Sequence, residues 1–137
     1  MKYSTLFLPV LLSASLLTGC ANNLAPIHNV NESVSVPRTP QQVKKAILIA
    51  GAKRGWQMTA PQNGLILATL RLPDATLTSR DYVANIKILY SANYYTIEYI
   101  NSENLKVDDG YIHQDYNRWI ANLDQDIKMQ LNLADQL

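Results

Sequence analysis

Apolar and polar residues repeat along this chain with two periods, and the changes of period mark its elements. Val43, Ala46, Ile47 and Ala50 recur three to four residues apart, one stripe of a helix, while Lys44, Lys45, Lys53 and Arg54 lie off the stripe. Thr39 suits the N-cap, Pro40 the first helical position, and Gln42 the reciprocal partner in a capping box. Gly55 is a natural stop. The pattern predicts a helix over 39–54. A second stripe, formed by Ile112, Tyr116, Trp119, Ile120, Leu123, Ile127 and Leu131, predicts a helix from about His113 to Leu133.

Between the two stripes the period falls to two. Trp56–Thr59, Leu65–Leu72, Asp81–Tyr90 and Tyr94–Ile100 read as strands. Turns are expected at 61–64, where Asn63-Gly64 is a hairpin signal, and at 91–93. Residues 73–79 read as a loop, and 101–104 and 108–110 as turns around Leu105-Lys106-Val107. Ile86, Ile88 and Tyr90 share one face, with Asn85 and Lys87 on the other. Tyr95, Ile97 and Tyr99 alternate with Thr96 and Glu98. The expected fold class is α+β: a single domain over 39–137 whose four-stranded antiparallel meander carries the N-terminal and C-terminal helices on one face (α-β-β-β-β-α).

Ahead of this domain, residues 21–38 are polar and turn-forming, with Pro26 and Pro37 as stops. They read as a tether, about 60 Å long if fully stretched. Val34-Ser35-Val36 alternates like a short edge strand. Further upstream, Lys2 precedes a 12-residue apolar run from Leu6 to Leu17. A bilayer core needs about 20 helical residues, so this run is too short to span it. It has the length of a signal-peptide h-region.

The run ends in Leu17-Thr18-Gly19-Cys20, which resembles the lipobox of bacterial lipoproteins. The resemblance implies cleavage just before Cys20, removal of residues 1–19, diacylation of the Cys20 sulfur and acylation of the new amine. An anchor with more than one acyl chain holds stably, because each buried methylene contributes about 0.8 kcal/mol. Ala21 stands where an Asp would favour the inner membrane, which implies the inner leaflet of the outer membrane, facing the periplasm. The alternative is an ordinary secretory signal cut near Ala21.

Composition narrows the remaining possibilities. A hydrophobic share of 47% with 17% charged residues fits a globular chain. A formal charge of +1 provides no field for nucleic acid. Cys20 is the sole cysteine, so no intramolecular disulfide forms, and with His28 and His113 it makes a poor structural zinc set. Without Lys2 the cations match the 11 acids. Their distribution is uneven: residues 38–54 carry only cations, whereas six Asp fall within 108–137 against Arg118 and Lys128. Complementary solvated helix faces explain this. A docking surface for an envelope partner is the other reading.

No phosphate loop, nucleophile elbow or metalloprotease motif is present. Asp108, Asp109, His113 and Asp115 cluster in sequence. His113 with Asp109 or Asp115 would make a carboxylate-oriented base, and Asp109 with Asp115 an oxygen-ligand cation site. Turn aspartates more commonly cap helices and bond their own backbone. The expectation is therefore no catalytic, metal or cofactor-binding residue, with Cys20 as the lipidation site. Tyr82, Tyr90, Tyr94, Tyr95 and Tyr99 crowd a short stretch. Tyr94 and Tyr95 must face opposite sides of a sheet, so one is buried and the other is free to stack on a glycan or protein. Trp56 and Trp119 lie on apolar faces and read as core.

Tyr90-Ser91, Tyr94 to Tyr99, Asn104-Leu105-Lys106, Ile112-His113, Tyr116 to Ile120 and Asn122-Leu123, with Ala46-Ile47 and Gly55-Trp56, resemble a group of small lipoproteins of Gram-negative bacteria. The resemblance covers most of residues 40–127. It implies the same compartment and an α+β fold and brings no catalytic residues. The expected function is non-catalytic: a lipid-anchored envelope protein that binds an envelope protein or polymer. Two alternatives are a carrier of a small lipid or glycan between helices and sheet, and a hydrolase built on His113.

Overall fold

A computed structural model describes residues 23–74 and 80–133. The expected signal peptide, Cys20, Ala21, most of the expected 73–79 loop and Asp135 lie outside the described residues. In chain order the elements are β1 (Leu24–Pro26), β2 (Val30–Ser33), α1 (Pro40–Lys53), β3 (Gln57–Gln62), β4 (Leu65–Leu72), β5 (Tyr82–Tyr90), β6 (Tyr94–Glu103), β7 (Tyr111–His113) and α2 (Gln114–Leu133). Among the described residues no helix is long and apolar enough to cross a membrane.

The capping box at α1 forms as its residue types require. Thr39 Oγ1 accepts the Gln42 N–H at 3.2 Å, and Gln42 Oε1 accepts the Thr39 N–H at 2.8 Å. Val43, Ala46, Ile47 and Ala50 are buried along the expected stripe. Gly51 is buried too, and its missing side chain leaves room for the thioether of Met58 on β3. Along α2, Tyr116, Ile120, Leu123, Ile127 and Leu131 are buried.

The fold departs from a four-stranded meander. The main sheet has five antiparallel strands in the order β2-β6-β5-β4-β3, and β1 and β7 form a separate two-stranded ribbon. Two of the extra strands, β1 and β2, come from the segment expected to be a tether, so the folded unit begins well before residue 39. The third, β7, takes Tyr111–His113, so Ile112 belongs to a strand and α2 starts at Gln114. β2 pairs Val30 with Ile97 and Ser33 with Tyr94. β1 pairs Leu24 with His113 and Pro26 with Tyr111. As a short edge strand, β2 needs one core residue, Val30, and Pro26 is tolerated at the exposed end of a ribbon. Their partners lie far away in sequence, so no local period announces them. The Val34–Val36 segment is not a strand.

Two bulges adjust the remaining boundaries. β3 runs on through Pro61 to Gln62, because a register shift between Thr59 and Gln62 takes proline out of the ladder, and the turn shrinks to Asn63-Gly64. β6 continues to Glu103, past the expected turn, by a register shift between Asn85 and Ile86 that leaves Ile100 unpaired. The core lies between the helices and the sheet face that carries Ile66, Ile86, Ile88 and Ile97, all fully buried. Trp56 is buried within it, and Trp119 packs against it half-buried.

Strand direction gives the domain two distinct ends. β1, β7, the start of β5 and the end of β6 lie at one end, where Asn104 Nδ2 donates to the Asp81 carbonyl at 2.7 Å. The turns at Gly64 and Asn93 lie at the other, with the start of α1 and the end of α2. There Val34 N–H donates to Asn93 O, and Arg38 Nη2 donates to the Leu131 carbonyl at 2.6 Å.

Candidate functional site

His113 closes β7 and opens α2. Its Nδ1 accepts the Asp115 N–H at 3.2 Å, the bond an N-capping side chain makes. That nitrogen is therefore engaged as a helix cap. Asp115 Oδ2 lies 3.6 Å from the same Nδ1, while Asp115 Oδ1 accepts from Arg118. Asp109 sits in the turn of the preceding hairpin, exposed and at a φ of 45°, beside Gly110 at 79°. Asp108 and Tyr111 exchange two backbone hydrogen bonds across that turn. Among the described residues no hydrogen bond or ion pair joins Asp109 to His113, and no group of three or more His, Cys, Asp or Glu could hold a metal. The local chemistry is that of a tight turn leading into a capped helix.

The tyrosines divide by sheet face. Tyr95 is 1% exposed and Tyr94 is 42% exposed, on opposite sides as strand geometry demands. The Tyr95 phenol donates to Asp124 Oδ1 at 2.6 Å. Lys128 Nζ donates to Asp124 Oδ2 at 2.9 Å and to Glu32 Oε1 at 2.8 Å. The chain Tyr95–Asp124–Lys128–Glu32 thus links β6, α2 and the edge strand β2. Burial, followed by the bond to Asp124, pushes the Tyr95 phenol above its ordinary titration range. The bonds to Glu32 and Asp124 push the Lys128 ammonium up as well. Tyr116 meets Tyr99 edge to face, with ring centroids 5.5 Å apart, and burial raises its titration too. Most of the aromatic cluster is thus structural, with Tyr94 and Tyr111 left exposed.

The outer sheet face carries a feature that no local run of sequence announces. Thr69 Oγ1 donates to Asn85 Oδ1 at 2.6 Å, and Asn85 Nδ2 donates to Asn101 Oδ1 at 2.7 Å. This polar ladder crosses three strands. Leu67 and the bulged Ile100 stand exposed nearby, and together with Gln57 and Thr59 they line a shallow groove of about 450 Å³. The ladder residues sit 16 apart in the chain. The available signal was the unbroken apolar run Leu65-Ile66-Leu67, which puts apolar side chains on both faces. A second groove of about 300 Å³ lies at the α2 C-terminal end, lined by Ser33, Val36, Arg38, Tyr95, Lys128 and Leu131. Both grooves are peripheral. Between helices and sheet, side chains such as Ile47, Ile88, Leu123 and Ile127 fill the space.

The uneven charge is partly internal pairing. Arg54, just past α1, holds Asp126 of α2 by Nε–Oδ2 at 2.6 Å and Nη2–Oδ1 at 3.1 Å. That bidentate bond keeps the Asp126 carboxyl below its usual range. Among the described residues Lys44 and Lys45 make no ion pair, whereas Arg38 is part-buried and donates to the Leu131 carbonyl. The chain matches no protein-family model, and no curated protein matches it.

Proposed function

We propose that this chain is a lipid-anchored, non-catalytic binding protein of the Gram-negative envelope, held by Cys20 in the inner leaflet of the outer membrane with its domain in the periplasm. The observation that carries the reading is Leu17-Thr18-Gly19-Cys20 placed directly after a 12-residue apolar run, with Cys20 the sole cysteine. The engagement of His113 Nδ1 as a helix cap supports a non-catalytic role. The filled layer between helices and sheet argues against a small-ligand carrier. The polar ladder Thr69–Asn85–Asn101, with Leu67 and Ile100 beside it, offers donors, acceptors and apolar area on one open surface for an envelope protein or polymer.

Cys20→Ser tests the anchor. The reading expects this variant to lose palmitate incorporation and to move from the membrane to the soluble fraction. A variant that stays in the membrane and still labels would contradict it. A photo-crosslinking residue at Leu67 or Ile100 tests the binding half in living cells. A discrete adduct with an envelope protein or peptidoglycan is expected, and no adduct from either position would end that half.

A further inference from the structure

The first strand of the fold lies close in sequence to the proposed anchor. Only Ala21, Asn22 and Asn23 separate Cys20 from Leu24, the first residue of β1. Four extended Cα steps span at most about 14 Å, whereas the headgroup layer on each side of a bilayer is about 5–8 Å thick. An acylated Cys20 lies at the inner edge of that layer. The β1–β7 end of the domain is therefore confined against the lipid surface and cannot extend into the periplasm on a long leash.

That end carries apolar side chains that the fold leaves uncovered. Tyr111, paired with Pro26 in the β1–β7 ribbon, is 48% exposed, and Val107, in the same hairpin, is 45% exposed. Tyrosine suits this position because its ring enters the interface while its hydroxyl stays wet. Asp108, which pairs with Tyr111 across the turn, and Asp109 within the turn lie between them, with Lys106 the one Lys or Arg in the hairpin. Contact this small is weak for a free protein, but the lipid makes it intramolecular and so raises its effective concentration.

We propose that the 105–113 hairpin is a second, peripheral membrane contact, in which Val107 and Tyr111 enter the headgroup region beside the Cys20 anchor. The proposal rests on the lipoprotein reading. The occupant of this surface is the zwitterionic phospholipid interface, since Asp108 and Asp109 outweigh Lys106 and disfavour anionic lipid. The contact sets an orientation: the turns at Gly64 and Asn93 and the groove beside Arg38 point away from the membrane.

The test uses the mature lipidated protein in phosphatidylcholine vesicles. With Cys20 acylated, a cysteine introduced as Tyr111→Cys, Val107→Cys or Asn63→Cys is the unique free thiol and accepts an environment-sensitive fluorophore. Quenching by spin-labelled lipid is expected to be roughly twofold stronger at 111 and 107 than at 63, consistent with interfacial depth, and to weaken when phosphatidylglycerol is added. Equal quenching at all three positions, with the protein still floating with the vesicles, would overturn the hairpin contact and leave the anchor standing. Protein that does not float would remove the anchor and the proposal together.

Discussion

The Tyr95 phenol donates to Asp124 Oδ1 at 2.6 Å, joining the core face of the sheet to the helix that covers it. The two ends of this bond are unequal. Tyr95→Phe removes one buried hydrogen bond and leaves Asp124 with Lys128, a loss of about 1 kcal/mol. Asp124→Ala leaves a buried phenol unpaired and takes a partner from Lys128, so it costs more, about 1–3 kcal/mol. Urea denaturation of the two variants should return them in that order.

Acid should weaken the Arg54–Asp126 link. The guanidinium's bidentate bond lowers the folded-state value of Asp126. A lowered carboxylate contributes stability that is fully present above its unfolded value, near pH 4, and is lost as pH falls through the folded value. Arg54→Gln should therefore lower the urea midpoint at pH 7, and the gap to the parent protein should shrink at pH 3. A gap of constant size would show that the bond contributes no charge-dependent stability.

Alkali acts on the other network. Tyr95 and Lys128 both titrate above their ordinary ranges in the folded state. Groups raised in this way contribute stability that is complete below the unfolded value, near pH 10, and falls as pH rises through the folded value. The protein should lose stability on passing pH 10, and Tyr95→Phe should lose less over the same step. Thermal melts from pH 8 to pH 11 would compare them.

The N-terminal strands should behave as part of the fold. A soluble chain starting at Asn23 should unfold cooperatively, whereas one starting at Thr39 loses β1, β2 and the burial of Val30. The shorter chain should be less stable by more than about 2 kcal/mol. Equal melting temperatures would restore residues 23–38 to the status of a tether.

Both helices were legible in the sequence because each carries its own signals. Thr39, Pro40 and Gln42 mark one start, and the spacing from Tyr116 to Leu131 marks one buried stripe. The face assignments of β5 and β6 were legible for the same reason, since Ile86, Ile88 and Tyr90 share a face within one strand. What stayed hidden is non-local. Val30-Asn31-Glu32-Ser33 holds a single core residue and becomes a strand because β6 offers it an edge. The Thr69–Asn85–Asn101 ladder exists only once three strands are in register. His113 looked chemical by residue type, and only the position of the Asp115 N–H shows it acting as a cap.

The central claim is the lipid anchor at Cys20. Mass spectrometry of the N-terminal peptide from membranes of cells expressing the full chain tests it most directly. The account predicts a peptide that begins at Cys20 and carries a diacylglyceryl thioether and an amide-linked acyl chain. An unmodified peptide beginning at Ala21 or later, or one that still includes residues 1–19, would contradict it.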